Sequence, residues 1–370
     1  MRAQIFLVPI LALAPLSWTV TTGVSAQRQA DPCGIENVRR IVAVGDVHGA
    51  YEQFVRILRT AGLLDARERW TGGEAYLVQT GDVLDRGADS RRVLDLLRRL
   101  EREAPRAGGR VVALVGNHEV MRLLGEMRDA NPAEIEAFRT ARSAELRDEV
   151  RRRWLEGQIE RAKAAGTQVD EAALAAQFAA QTPLGLIEML GAFSREGDYG
   201  RWIRGHHAAV RINGILFLHG GVSPRVAPLG CEGINSGVRA DITDGLEKVR
   251  LAPLESLSMS EDGPLWYRGL AREDDTAFAP ELDAILEAVR AQAIVIGHTV
   301  SETGRIRSRF NGRVVQIDTG MLTSVYTMGR PSALEIVGER WTAVYEDGRE
   351  LIRGPVRTAH APIGCGATVC

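Results

Sequence analysis

The sequence predicts an α/β fold in which strands and helices alternate. Short apolar runs rich in valine and isoleucine, typical of buried strands, recur between segments with helical spacing of apolar residues. Three of these runs, at residues 41–44, 75–79 and 111–115, are followed by glycine and then by polar residues. Ligands in α/β sheets gather at the carboxyl ends of the strands, so the same runs predict a functional site at one edge.

The first part of the chain is expected to contain three strands separated by two helices. In order, these are a strand at 41–44, a helix at 50–61, a strand at 75–79, a helix at 90–103 and a strand at 111–115. Phe54, Ile57 and Leu58 fall on one face of the first helix, and Gly62 can end it. The alternation favours βαβ units.

Residues 126–200 interrupt this alternation with a charged, helical segment. Asn131 as N-cap and Glu134 three residues later predict a helix start, and the helical pattern continues to Gly166. A second helix is expected from about residue 170. We interpret the segment as a helical insertion packed beside the mouth of the site. A solvated bundle without a functional role is the alternative.

The chain returns to strands after the insertion. Asn213-Gly214 between two apolar runs is a strong hairpin signal. The predicted elements are strands at 208–212, 215–218, 294–296, 314–318, 332–337 and 341–345, and a helix at 280–290. His219 and His298 follow two of these strands, and they therefore join the polar residues at the strand ends.

The first 26 residues are expected to form a signal peptide. Arg2 provides a positive start, residues 5–14 are almost continuously apolar, and Val24-Ser25-Ala26 is a small-residue cleavage site. We expect cleavage after Ala26 and an exported, periplasmic or secreted protein; the alternative is an uncleaved N-terminal anchor. The apolar run is too short and interrupted for a stable membrane span. The rest divides into a lead-in at 27–40, a domain at 41–350 that contains the insertion, and a tail at 351–370.

The composition argues against nucleic acid as a partner and does not determine how the cysteines pair. The 370 residues carry a formal net charge of -2, so the chain lacks the excess of basic residues that would predict nucleic-acid binding. The four cysteines are Cys33, Cys231, Cys365 and Cys370, and none has metal-type C-x2-C spacing. An oxidising compartment would allow three pairings, of which the sequence selects none. A bridge that ties down a chain end is attractive because three of the cysteines lie near the termini. The oligomeric state is not predicted.

The polar residues at the strand ends share one chemistry, since each can bind a metal through nitrogen or oxygen. They are Asp46, His48, Asp82, Asn117, His118, His219 and His298. Mixed nitrogen and oxygen ligands without thiolate suit Mn, Fe or Zn rather than a cysteine-rich structural zinc site. The set is too large for one tetrahedral ion and predicts two ions that share a carboxylate.

These motifs resemble the metallophosphoesterase signature of the phosphoprotein phosphatase (PPP) family, within the calcineurin-like superfamily. They are Gly45-Asp46-Val47-His48-Gly49, Gly81-Asp82-Val83-Leu84-Asp85-Arg86-Gly87, Gly116-Asn117-His118-Glu119, His219-Gly220-Gly221 and Gly297-His298. The resemblance spans about residues 40–320. It implies a β-sandwich of two mixed sheets flanked by helices, with two metals at the strand ends. Residues 263–269, which contain Arg268, resemble the Shewanella-like branch of bacterial-type phosphatases.

The resemblance also implies a role for each residue. It places Asp46 and His48 at one metal, Asn117, His219 and His298 at the other, and Asp82 between them. A hydroxide that bridges the metals would attack phosphorus directly, without a covalent phosphoenzyme. His118, oriented by Asp85, would protonate the leaving oxygen, and Arg86 and Arg268 would bind phosphate oxygens. Arg268 as a surface residue beside a packed tryptophan is the alternative.

Two departures favour the bacterial branch. Val115 stands where eukaryotic Ser/Thr phosphatases have arginine, and His298 lies in Gly-His-Thr rather than Arg-Ala-His-Gln. Glu119 is expected to serve structure, since Asn117 and His118 already fill the chemical roles. For Tyr326, core packing is favoured over a place in the site.

The expected function is that of a two-metal phosphomonoesterase, a protein phosphatase of Ser/Thr or Tyr type. Its substrate would be a phosphorylated protein or a small phosphate ester. A nucleotide or dinucleoside polyphosphate hydrolase is the alternative enzyme. The non-enzyme alternative is an interaction module on an inactive scaffold.

Overall fold

A computed structural model describes residues 33–354 of the chain. The predicted signal peptide, Cys365 and Cys370 lie outside the described residues. The strands are β1 (Cys33–Ile35), β2 (Ile41–Val44), β3 (Tyr76–Gln79), β4 (Arg110–Ala113), β5 (Ala209–Ile212), β6 (Ile215–Leu218), β7 (Ala293–Ile296), β8 (Arg307–Arg309), β9 (Val314–Gln316), β10 (Ser332–Val337), β11 (Arg340–Tyr345) and β12 (Gly348–Arg353).

The helices include those expected between the strands and those of the insertion. They are α1 (Tyr51–Thr60), α2 (Ser90–Glu103), α3 (Asn117–Leu123), α4 (Pro132–Glu136), α5 (Ser143–Ala164), α6 (Glu171–Gln181), α7 (Leu186–Phe193), α8 (Asp198–Arg204), α9 (Gly230–Thr243), α10 (Leu246–Leu251), α11 (Gly269–Arg272) and α12 (Ala279–Ala288). Within residues 33–354, none of them combines the length and the apolar character that a membrane crossing requires.

The strands form two six-stranded mixed sheets, as predicted. One has the order β1-β5-β6-β7-β9-β8, and the other has the order β12-β11-β10-β2-β3-β4. In each sheet, three neighbouring strands run parallel: β2, β3 and β4 in one, and β6, β7 and β9 in the other. Because these strands are parallel, their carboxyl ends meet at one edge of each sheet. Antiparallel neighbours adjoin β2 in one sheet and β6 and β9 in the other.

Alternate residues of each central strand are buried in different layers. Ile41 in β2 packs in the cluster that both sheets share, whereas Val42 packs in the cluster that includes the helices. In β6, Phe217 belongs to the shared cluster and Leu216 to the helix side. Because both faces of these strands are covered, their sequences are continuous apolar runs rather than alternating ones. This double burial explains the strong strand signal.

The structure corrects several predicted boundaries. The helical stretch expected to continue from Asn131 to Gly166 is two helices, α4 and α5, separated at residues 137–142. Ser143 Oγ accepts the N–H of Thr140, and Thr140 Oγ1 accepts the N–H of Arg142. These local side-chain bonds compete with helical ones and favour a turn. β1 lies in the predicted lead-in, β12 continues past residue 350, and α8 continues past residue 200.

A disulfide joins Cys33 in β1 to Cys231 in the first turn of α9. The two residues are 198 positions apart, and their Cα atoms are 6.0 Å apart. The bridge therefore attaches the N-terminal edge strand to the body of the domain. It is one of the pairings that the sequence left open.

Candidate active site

Six parallel strands, three from each sheet, present polar residues just beyond their carboxyl ends. These are Asp46 after β2, Asp82 after β3, Asn117 after β4, His219 after β6, His298 after β7 and Asp318 after β9. All six side chains belong to buried residues. The N–H of His298 donates to Asp46 Oδ1 at 2.9 Å, which directly connects the ends of the two sheets. The strand-end prediction therefore describes one site built across both sheets.

The loops that hold these residues have an unusual backbone. His48, Asp82, Asp85, Arg86 and His298 have φ angles between 47° and 68°. This left-handed region is unfavourable for residues with a Cβ, and such conformations cost about 1–3 kcal/mol each. Five in one place are maintained by the surrounding structure and are typical of a functional site.

Asp82 lies at the centre of the donor atoms. Its Oδ2 is 3.3 Å from Nε2 of His219, 3.7 Å from Nε2 of His48 and 3.8 Å from Nε2 of His118. Two possible metal-binding groups share it: one with His48 and His118, and one with His219 and His298. A carboxylate common to two donor groups is the arrangement that a pair of metal ions requires.

Hydrogen bonds orient two of the imidazole rings toward Asp82. Nδ1 of His48 lies 2.8 Å from the carbonyl oxygen of Leu84, and Nδ1 of His219 lies 2.9 Å from that of Thr80. Donation from Nδ1 to a backbone carbonyl is the usual second contact of a metal-binding histidine. It leaves Nε2 with its lone pair toward the site. Nε2 of His298 is buried without a hydrogen-bond partner in the described part of the chain. The residues therefore fit metal ions chemically as well as geometrically.

Electrostatics support the same conclusion for two of the rings, whereas burial opposes protonation of His219 but Asp82 outweighs it and raises the pKa of that ring. Burial lowers the pKa of His48 to about 3 and that of His298 to about 2, so both rings are neutral, as metal binding requires. Burial, together with Asp318 and Asp82, raises the pKa of Asp46 well above its usual value. Burial also raises the pKa of Asp318 to about 6. Crowded, buried carboxylates of this kind are neutralised by cations.

His118 and Asp85 form the predicted pair. Nδ1 of His118 is 2.7 Å from Oδ2 of Asp85. Burial opposes protonation of His118, but Asp82 and Asp85 outweigh it and raise the pKa of the imidazole. Burial would raise the pKa of Asp85, but Arg122 and His118 lower it below its usual value. The pair therefore favours an ionised carboxylate beside a protonated ring.

Arg86 points into the same centre. Its Nη1 lies 2.6 Å from Nε2 of His48 and 2.5 Å from the hydroxyl of Tyr326, and its Nη2 lies 3.0 Å from Nε2 of His118. Tyr326 packs partly against the core, as expected, and its hydroxyl also contacts the predicted phosphate-binding arginine. Nε2 of His48 has one lone pair, so Arg86 and a metal ion are alternative partners of that atom.

Arg268 lies at the edge of the site rather than at its centre. Its Nη1 donates to the carbonyl oxygen of His298 and to Oγ1 of Thr299, both at 3.1 Å.

The Glu119 side chain has a structural role in the loops of the site. Its carboxylate accepts the backbone N–H groups of Gly116 and Asp82 at 2.8 Å, which confirms the structural role expected for it.

Comparison with known proteins decides the family. The family model described as calcineurin-like phosphoesterase matches residues 39–302, which is most of the chain. The chain belongs to the calcineurin-like phosphoesterase family. The resemblance carried by its motifs and the two-sheet α/β fold are thereby confirmed.

Individual relatives of this phosphoesterase carry phosphatase names. It is 29% identical to Shewanella-like protein phosphatase 2 of Arabidopsis thaliana, over 84% of this chain and 78% of the relative. It is 28% identical to Shewanella-like protein phosphatase 1 of Plasmodium berghei, over 82% and 74%. The crystal structure of a cold-active protein-tyrosine phosphatase of a Shewanella species matches with a TM-score of 0.65 and 26% identity, over 87% of this chain and 83% of that one. The phosphoesterase is a metal-dependent phosphatase.

Sequence reasoning missed two buried residues of the phosphoesterase site. The sequence predicts a strand that includes Asp318, but β9 ends at Gln316, so Asp318 follows its strand by two residues, as Asp46 does. A carboxylate two residues beyond the end of an apolar run is the sequence feature that could have identified Asp318. Arg122 lies four residues after His118 on α3, and a charged side chain in an otherwise buried helix was a signal as well. Tyr326 follows no strand directly, and no local pattern identifies it.

Proposed function

We propose that this phosphoesterase is a two-metal phosphomonoesterase that removes phosphate from phosphorylated proteins or peptides. The observation that carries the proposal is that two features occur at the same site. One is Asp82, a carboxylate shared by two possible metal-binding groups, and the other is the His118–Asp85 pair. The first provides for two metals, and the second provides a general acid.

The donor set suits Mn, Fe or Zn. Oδ2 of Asp46 is 3.9 Å from Nε2 of His48, so Asp46 would hold one ion with His48 in place of the protonated His118. Asn117, His219 and His298 would hold the other ion, and Asp82 would contact both. Bound there, the ions would supply a water-derived nucleophile near neutral pH and reduce the negative charge of the phosphate. No side chain needs to form a covalent phosphoenzyme.

The protein's own groups bind the phosphate and supply a proton. Arg86 reaches the centre with a planar guanidinium that suits two phosphate oxygens, and Tyr326 holds one of its nitrogens. Asp85 receives the Nδ1 hydrogen of His118, so the hydrogen on Nε2 is the one given to the leaving oxygen. Arg268, beside His298, serves as the second phosphate-binding arginine from the edge of the site.

The substrate class is drawn from the relatives. The two eukaryotic relatives are protein phosphatases by name, and the Shewanella structure is a protein-tyrosine phosphatase. A phosphotyrosine peptide is therefore the first substrate to test. Export after cleavage at Ala26 is part of the proposal, and the Cys33–Cys231 disulfide supports it, because such bonds persist in oxidising compartments.

The test uses purified protein stripped of metal and then supplied with Mn, Fe or Zn. We expect metal-dependent hydrolysis of an aryl phosphate and of phosphotyrosine or phosphoserine peptides, with little turnover of diadenosine tetraphosphate. Asp82→Asn should abolish it, whereas Asp347→Asn, an exposed control, should not.

Metal-dependent activity that survives Asp82→Asn would contradict the mechanism. Preferred turnover of the dinucleotide would favour the nucleotide hydrolase. Absence of bound metal, together with no rescue by added Mn, would favour an inactive scaffold.

A further inference from the structure

Arg122 is a buried arginine for which the proposed reaction has no direct use. It lies on α3, four residues after His118, so both side chains project from the same face of the helix. Its side chain is 0% exposed. A guanidinium in such a place is tolerated only with anionic partners, because an unpaired buried charge is strongly destabilising.

The anionic partners of Arg122 are the carboxylates of Asp85 and Glu134, which it connects. Nη2 of Arg122 donates to Oδ1 of Asp85. Nη1 and Nη2 lie 3.2 Å and 3.5 Å from the two carboxylate oxygens of Glu134, which is itself fully buried on α4. The other oxygen of Asp85 faces Nδ1 of His118. A continuous set of contacts therefore runs from the helical insertion to the general acid.

The insertion also encloses the guanidinium from the other side. Sδ of Met189 is 3.6 Å from Nη1 of Arg122, and the ring centroid of Phe193 is 5.3 Å from Cζ. Both residues belong to α7. Exclusion of water by this packing strengthens the charged contacts and restricts the rotamers of Arg122.

The same insertion holds the backbone beside Asp85. The N–H of Arg86 donates to the carbonyl oxygen of Asp129 at 2.8 Å, and its carbonyl oxygen accepts from Nδ2 of Asn131 at 2.9 Å. Asp85 and Arg86 both have left-handed φ angles, of 68° and 65°. Such a backbone persists where neighbouring contacts fix it. The insertion therefore fixes both the backbone and the side-chain direction of this segment.

We propose that Arg122 and Glu134 are positioning residues for His118. The inference rests on the proposed role of His118 as general acid. Glu134 holds Arg122, and Arg122 holds one oxygen of Asp85, so the other oxygen stays aimed at the imidazole. The ring is thereby held with its Nε2 hydrogen toward the leaving oxygen, without either residue touching the substrate. The helical insertion takes part in catalysis through this contact.

The test separates proton delivery from the rest of the reaction. Arg122→Met combined with Glu134→Gln removes both charges at once, so neither is left buried and unpaired. Phenyl phosphate has a leaving group that needs a proton, and p-nitrophenyl phosphate has one that needs it far less. We expect kcat to fall about tenfold to a hundredfold for the first and less than about threefold for the second. His118→Asn should show the same selectivity.

Two comparisons make the result specific. Arg142→Met with Glu145→Gln removes an exposed ion pair of the same insertion, with 80% and 70% exposed side chains, and should change neither rate. The triple variant that also carries His118→Asn should lose no more activity on phenyl phosphate than His118→Asn alone, because both changes act through one group. Equal losses on the two substrates, or losses that multiply with His118→Asn, would overturn the proposal.

The single variant Glu134→Gln guards against misfolding of the double variant. It keeps size and shape, and it should show the same selectivity with a smaller loss, whereas unchanged rates would count against the proposal. Failure of the proposed function looks different, since the wild-type protein supplied with metal would then hydrolyse neither aryl phosphate.

Discussion

Removal of the Cys33–Cys231 bridge provides a quantitative test of the described fold. The perturbation is the double variant Cys33→Ala with Cys231→Ala. The cross-link spans 198 positions, so its loss releases a large part of the unfolded chain. Chain-entropy arithmetic for a loop of this length gives about 5 kcal/mol, and removal of native disulfides costs about 2–5 kcal/mol. We therefore expect the free energy of unfolding to fall by about 2–5 kcal/mol.

Urea unfolding followed by circular dichroism measures this change. The midpoint should fall, and the slope m should rise, because the unfolded state without the cross-link exposes more surface. Catalytic activity of the folded protein should be retained, since the bridge joins the edge strand β1 to α9, away from the strands that carry the site.

The matched control is Cys365→Ser with Cys370→Ser, which should leave both stability and slope unchanged. Two outcomes would refute the reasoning. Unaltered stability in the Cys33 and Cys231 variant would mean that the bridge does not constrain the chain. A loss confined to the control variant would indicate a different pairing.

Three further predictions concern the site. Asp318→Asn should weaken metal binding about tenfold to a hundredfold, measured by chelator competition without substrate, because a buried carboxylate beside the metal-binding residues is lost; unchanged affinity would exclude Asp318 from the site. Tyr326→Phe removes a partner of Arg86 and should raise KM for aryl phosphate about tenfold, with a smaller change in kcat; an unchanged KM would contradict that role. Burial would raise the pKa of Asp85, but Arg122 and His118 lower it below its usual value. The ionised carboxylate therefore stabilises the fold at pH values above the pKa it has in the unfolded chain. This contribution to the free energy of unfolding is lost as the pH falls through the lower pKa of the folded state. Asp85→Asn should therefore flatten the acid side of the stability profile, and a parallel profile would refute this.

Local sequence patterns predicted much of the fold because they report burial along each segment. β6 and α2 have the predicted boundaries, and the fully buried strands were visible as apolar runs. β1 escaped prediction because three residues at a sheet edge are too short to carry a pattern. The break between α4 and α5 also escaped, since the side-chain bonds that favour it do not alter the charged, helical composition.

The sequence by itself determined the composition of the site, down to the residues that follow each central strand. A strand-end motif is a local property, because the same few residues form both the buried strand and the turn beyond it. Tertiary structure alone decided which side chains meet: Cys33 with Cys231, Tyr326 with Arg86, and Arg122 with both Glu134 and Asp85. Those contacts join separate elements, and their formation depends on how sheets and helices pack, which no local pattern encodes. The helical insertion, predicted to lie beside the site, contacts Arg122 through Glu134, and Arg122 in turn contacts Asp85.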